Sequence, residues 1–125
     1  MIAGIGTDII EIERINKALL NTPQFMEKSF TIKEREYFKL RKDAVESIAG
    51  NFAAKEAVSK ALGTGFRGFG LMDIEILRDD LGRPVAFLHG KAQHIGKEKD
   101  IVNIWVSISH CKVYATAYAI AEKGI

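Results

Sequence analysis

A chain of 125 residues, 47% apolar and 27% charged, has the length and composition of one folded domain over 1–125, which excludes a disordered or fibrous protein. Its net charge of +2 gives no case for a nucleic-acid partner, and its single cysteine, Cys111, excludes an intrachain disulfide or a thiolate metal cluster. No stretch nears the ~20 apolar residues of a membrane span, and MIAGIGTDII lacks a basic leader and carries Asp8 within its apolar run, so a cytoplasmic location away from membranes is expected.

In chain order, residues 2 to 10 are apolar and β-branched and read as a buried strand, after which Ile12, Ile15 and Leu19 recur at helical spacing to about Leu20. Thr31 and Glu34 have the spacing of a capping box and open a second helix through Phe38 and Leu40. Asp43 is expected to cap a longer central helix that ends at Gly63. DIEIL at 73–77 and PVAFL at 84–88 flank a turn at 79–82 and predict a hairpin, with a short helix over 91–98. Residues 103–109 and 113–121 alternate faces and predict a second hairpin. The last strand sets Ala115, Ala117, Ala119 and Ala121 on one face, which predicts close packing against the small residues Ala49, Ala53, Ala54 and Ala57 of the long helix. The expected class is α+β, a long central helix laid on an antiparallel sheet.

Charge is uneven along this frame. Residues 14 to 42 hold eight basic residues against three acidic ones, a local +5 that leaves −3 for the remainder. Such a surface either steers an acidic partner or is a solvated helical face.

Three groups of residues carry possible chemistry. Asp8 lies in IGTDII, where both strand faces are otherwise apolar or small, so its carboxylate needs a cation, backbone amides, a proton or a metal. Gly4 and Gly6 leave room for a second element or a ligand to approach that strand. Glu56 and Lys60 stand four apart on an Ala-rich helix, the spacing of a simple helix-stabilising pair, yet Phe52, Ala53 and Ala57 argue that the helix is buried. If it packs on the Asp8 strand, two carboxylates share one Mg²⁺ and Lys60 lies near a leaving phosphate. The glycine-rich GTGFRGFG at 63–70 follows a helix and so is not a P-loop. Ser107, Ser109 and His110 lack the acid and the elbow turn of a nucleophilic site and suit phosphate binding or a plain turn.

Taken together, GIGTDIIEIERI at 4–15, FAAKEAVSKALGTG at 52–65, DIEI with a following GRP at 73–84, and VSISH at 106–110 resemble the bacterial holo-acyl-carrier-protein synthase family over almost the whole chain. The resemblance implies transfer of 4′-phosphopantetheine from coenzyme A to a serine of apo acyl carrier protein, releasing adenosine 3′,5′-bisphosphate. It implies Asp8 and Glu56 as Mg²⁺ ligands, Glu56, directly or through metal-bound water, as acceptor of the serine proton, and Lys60 as stabiliser of the departing phosphate. It implies a homotrimer with intersubunit active sites, in which Ser109 and His110 of a neighbouring copy meet the coenzyme A 3′-phosphate while Gly63, Gly65 and Pro84 lie near the nucleotide. Arg14, Ile15 and Phe25 map to the carrier-protein contact. One departure is Asn51, where the family usually carries an arginine; Lys42, Lys60 or Arg67 is expected to supply the missing cation. The competing readings are a Mg²⁺-dependent nucleotide pyrophosphohydrolase, which the same carboxylates and lysine serve, and a non-catalytic scaffold binding coenzyme A or carrier protein.

Overall fold

The computed structural model describes residues 1–125. Strand β1 (Ile2–Glu11) runs directly into helix α1 (Ile12–Asn21), followed by α2 (Phe25–Ser29), α3 (Ile32–Leu40) and the 17-residue α4 (Val45–Ala61). A 3-10 turn at Leu71–Asp73 leads into β2 (Ile74–Arg78) and β3 (Pro84–Leu88), then α5 (Gly90–Glu98), β4 (Ile101–His110) and β5 (Tyr114–Lys123). The five strands form one antiparallel sheet in the order β1-β5-β4-β3-β2. This is the α+β arrangement that the period change from helical to alternating foretells.

α4 lies along the inner face of the sheet because both surfaces are cut back to small side chains. Ala115, Ala117, Ala119 and Ala121 of β5 are fully buried, as are Ala49, Ala53, Ala54 and Ala57 of α4. The contact with β1 is closer still. A methyl group added to Gly6 would stand 1.8 Å from the carbonyl oxygen of Ala57, and one on Gly4 1.9 Å from that of Ala61. Only glycine permits this approach of strand backbone to helix backbone. Helices α1 to α3 close over the first half of α4, with Phe30 and Phe38 packed edge to face at 4.9 Å between ring centres beside Ile12, Ile15 and Ile48.

Two expectations are corrected. Asp43 does not cap α4; the cap is Ala44, and Asp43 and Lys42 both take left-handed backbone conformations in the connecting turn. A residue with positive φ lacks the extended geometry that aims a side chain at the first amides of a helix. β1 is also not buried on both faces. It is a sheet edge whose Ile5 and Ile9 are 65% and 66% exposed, and the apolar outer surface continues through Tyr118, Trp105 and Phe87. The capping box of α3 is as expected, with Glu34 N–H donating to Thr31 Oγ1 and Thr31 N–H donating to Glu34 Oε1.

Candidate active site

The alternation of β1 places Gly4, Gly6 and Asp8 on one face. The two glycines seat α4 against that face, and Asp8, two residues on, comes to the edge of the helix that carries Glu56 and Lys60. Its backbone is tied into the sheet, where it pairs with Ala117 and its carbonyl accepts from Thr116 Oγ1 at 2.9 Å. Lys60 Nζ donates to Asp8 Oδ1 at 3.2 Å and to the Thr7 carbonyl at 2.9 Å. The pair is open to water, with the lysine side chain 50% exposed. Glu56 is half-buried, and burial, then the charge of Asp8, push its carboxyl above the usual range while Lys60 draws it partly back.

A carboxyl raised by burial and by the Asp8 carboxylate, with one flexible lysine beside them, makes a place for further positive charge. No group of three or more His, Cys, Asp or Glu gathers in the chain. Two oxygen donors with the remaining positions left to water and phosphate fit Mg²⁺, which is held by one or two carboxylates plus substrate phosphates.

The residues expected to meet coenzyme A fall into two groups. Gly63 and Gly65, both with positive φ, join Lys60 and Arg67 around an open recess at the C-terminal end of α4. Gly63 closes the helix in the left-handed conformation, its N–H donating to the Lys60 carbonyl. Pro84 and His110 instead line a second pocket with Arg41 and Arg78, at the first turns of α4. His110, expected from a neighbouring copy, thus already lines a pocket of its own chain. Ser109 is exposed beside it on β4.

Of the three partner-contact residues, Arg14 is exposed on α1 and Phe25 is half-buried against Phe30 and Phe52. Ile15 corrects the expectation: it is 3% exposed and supports α1 from beneath. The helical spacing of Ile12, Ile15 and Leu19 is the spacing of a buried stripe.

Of the cations expected to compensate for Asn51, Lys60 and Arg67 line the recess at the C-terminal end of α4, and Lys42 sits in the turn before it. The cation beside Asn51 is Arg78, whose guanidinium donates to Asn51 Oδ1 at 2.8 Å. Sequence reading also passed over the fully buried ion pair of Lys55 and Glu34, 2.6 Å apart. A signal for Arg78 was present: strand alternation puts it on the face of Ile74 and Ile76, which is the α4 face.

A family model described as the 4′-phosphopantetheinyl transferase superfamily matches residues 4–119. A holo-[acyl-carrier-protein] synthase of Clostridium botulinum (strain Alaska E43 / Type E3) is 62% identical over 122 residues, covering 98% of each chain. Among solved structures, a Plasmodium yoelii acyl carrier protein synthase with ADP bound superposes with a TM-score of 0.91 at 36% identity, covering 100% of this chain and 98% of that one. A holo-(acyl-carrier-protein) synthase from Bacillus anthracis str. Ames in complex with CoA (3′,5′-ADP) superposes at 0.79 with 38% identity, covering 99% of both.

Proposed function

The chain belongs to the 4′-phosphopantetheinyl transferase superfamily, and from that premise we propose how its own residues carry the reaction. The enzyme transfers 4′-phosphopantetheine from coenzyme A to a serine hydroxyl of an acyl carrier protein. The serine oxygen forms a bond to the phosphorus that bears the pantetheine; the bond from that phosphorus to the adenosine 3′,5′-bisphosphate oxygen breaks, and the serine proton passes to a base.

The observation that carries the assignment is the pairing of Asp8 and Glu56 across the glycine-made contact of β1 and α4. Asp8 and Glu56 are the residues that hold Mg²⁺. When bound, the metal neutralises charge on the pyrophosphate oxygens. Glu56, half-buried and raised by burial and by Asp8, is the group placed to take the serine proton. Lys60 is half-exposed and has three donors, of which Asp8 and the Thr7 carbonyl occupy two, so it turns readily toward the leaving phosphate. The exposed Arg14, within the basic first third of the chain, receives the acidic surface of the carrier protein, together with the half-buried Phe25.

The outer face of the sheet supports a homotrimer, because Ile5, Ile9, Trp105, Tyr118 and Phe87 form an apolar surface that no element of the chain covers. A site shared between copies joins the two groups of coenzyme A residues. The exposed, unpaired Cys111 fits a reducing compartment, the cytoplasm. No helix is long and apolar enough to cross a membrane.

The test is incubation of apo carrier protein with coenzyme A and Mg²⁺. The expected result is a gain of one phosphopantetheinyl mass on the carrier, lost on chelation and restored by adding Mg²⁺. Nucleotide release without carrier protein would overturn the transferase reading, and a mass gain insensitive to chelation would overturn the metal assignment. Light scattering in solution is expected to give three times the chain mass.

A further inference from the structure

Phosphate is poorly suited to the C-terminal end of a helix, where the last carbonyls carry partial negative charge. The recess of Lys60, Gly63, Gly65 and Arg67 nevertheless opens at that end of α4. Most of these carbonyls are used locally. That of Ser59 accepts from the amides of Thr64 and Gly65, that of Lys60 from Gly63, and that of Ala61 is packed on Gly4 of β1. The Leu62 carbonyl is met from outside the helix: it accepts from Lys99 Nζ at 2.6 Å.

Lys99 is delivered from a fixed point. It closes α5, its N–H donating to the Ile95 carbonyl at 3.0 Å, and the next carbonyl, that of Asp100, accepts from Gly124 N–H at 3.0 Å, which ties this corner to the end of β5. A methyl group on Gly63 would stand 3.1 Å from the ammonium, so Nζ sits against the first residue of the glycine loop. The residue is otherwise exposed, and with one of its three donors spent on Leu62 it keeps a full positive charge beside the recess. The far end of the same loop is also held by a lysine, since the Leu71 carbonyl accepts from Lys55 Nζ at 2.9 Å. The glycines between, with positive φ at Gly63, Gly65 and Gly68, are thereby fixed at both ends.

We infer that Lys99 is a positioning residue for this recess: it caps the last carbonyl of α4, offsets the negative end of the helix and holds Gly63, so that a phosphate of coenzyme A can enter beside Lys60. The inference rests on the transferase reading for the identity of the ligand. It adds a residue from the end of α5, an element outside every motif that carries the family resemblance.

The experiment measures coenzyme A binding by calorimetry, with Mg²⁺ and without carrier protein, and steady-state transfer in wild type, Lys99→Met and Lys99→Arg. Lys99→Met is expected to weaken binding and raise KM for coenzyme A about two- to fivefold at low salt, the worth of one cation at a helix C-terminus, with kcat within about twofold of wild type. Raising the ionic strength toward about 1 M should shrink the difference, because the charge is at the surface. Lys99→Arg should bind as wild type does. A merely structural role would lower kcat and the thermal midpoint and would not respond to salt. Equal binding by wild type and Lys99→Met at low salt overturns the inference, as does a difference that salt leaves unchanged or that Lys99→Arg shares. If the variants differ as expected while no carrier protein is modified, the transferase reading fails and the role of Lys99 stands. A wild type that binds no coenzyme A overturns both.

Discussion

Helix α4 carries two lysines, five residues apart, and each meets a carboxylate from another element. Lys55 and Glu34 are fully buried and 2.6 Å apart; Lys60 and Asp8 are 3.2 Å apart and open to water. The buried pair is closed on itself. Lys55 Nζ also donates to the carbonyls of Leu71 and Ile74, while Glu34 accepts from the amides of Ile76 and Thr31, so every polar valence is met by the fold. The open pair is incomplete, because Asp8 has a second carboxylate, Glu56, beside it and only one lysine to balance both. Desolvation decides which pair can exchange partners. A charge already removed from water and saturated with protein donors has nowhere to go, whereas one at the surface can trade a lysine for a cation or a phosphate.

The largest expected effect tests the open site. Asp8→Ala with Glu56→Ala is expected to lower transfer by a hundredfold to ten-thousandfold, the order attributed to a positioned base alone, with a urea midpoint near that of wild type. A double variant that still modifies carrier serine at the normal rate would sink the assignment of these carboxylates. Lys60→Met sharpens the contrast: it is expected to change stability by no more than about 1 kcal/mol, as for other exposed pairs, and to slow transfer.

The buried pair is expected to behave in the opposite way. Lys55→Met strands the Glu34 carboxylate and should cost about 3–5 kcal/mol in urea unfolding, whereas Lys55→Met with Glu34→Leu should recover part of that loss. Equal stability losses in Lys55→Met and Lys60→Met would erase the distinction between the two pairs.

What could be read from sequence follows from how local the determinant is. The capping box of Thr31 and Glu34 and the alanine face of β5 depend on spacing within one element, and both appear in the structure as expected. Lys55 does not announce itself: it stands in AAKEA, and its partners come from α3 and from the segment entering β2. β1 reads as buried because both faces are apolar, yet which face is covered depends on its edge position. Asn51 was legible only as a lost charge, since the guanidinium it orients arrives from β2, 27 residues away in sequence. The two carboxylates proposed to hold the metal were visible as charges on apolar elements, and the glycines that bring those elements together were visible as missing side chains.

That role of glycine gives the next effect in size. Gly6→Ala places a methyl group 1.8 Å from the Ala57 carbonyl oxygen, so helix and strand must separate. Overpacking of this kind costs about 1–3 kcal/mol, and here it also moves Glu56 away from Asp8, so transfer should fall more than stability does. Gly70→Ala, where an added methyl meets nothing within 4 Å, is the control, expected within about 0.5 kcal/mol of wild type. If both variants retain full transfer rate, close backbone approach is not what sets the carboxylates.

The smallest effect concerns a third carboxylate, between the two extremes. Glu75 is nearly buried and accepts from Thr31 Oγ1, with His89 Nε2 3.1 Å from its other oxygen. Burial pushes its carboxyl up, but the Thr31 and His89 contacts outweigh this and hold it below the ordinary value of 4.5. A depressed folded-state pKa means that the unfolded chain takes up the proton first. The stability Glu75 contributes is therefore full above about 4.5 and is lost as pH falls through its folded value. The difference in urea midpoint between wild type and Glu75→Gln should be widest near neutral pH and narrow below 4.5. His89→Ala should shrink that difference by less than about 1 kcal/mol, since the imidazole is half-exposed. A difference that widens toward acid pH would show that the carboxyl is held protonated by burial, and would move Glu75 to the side of the sealed pair.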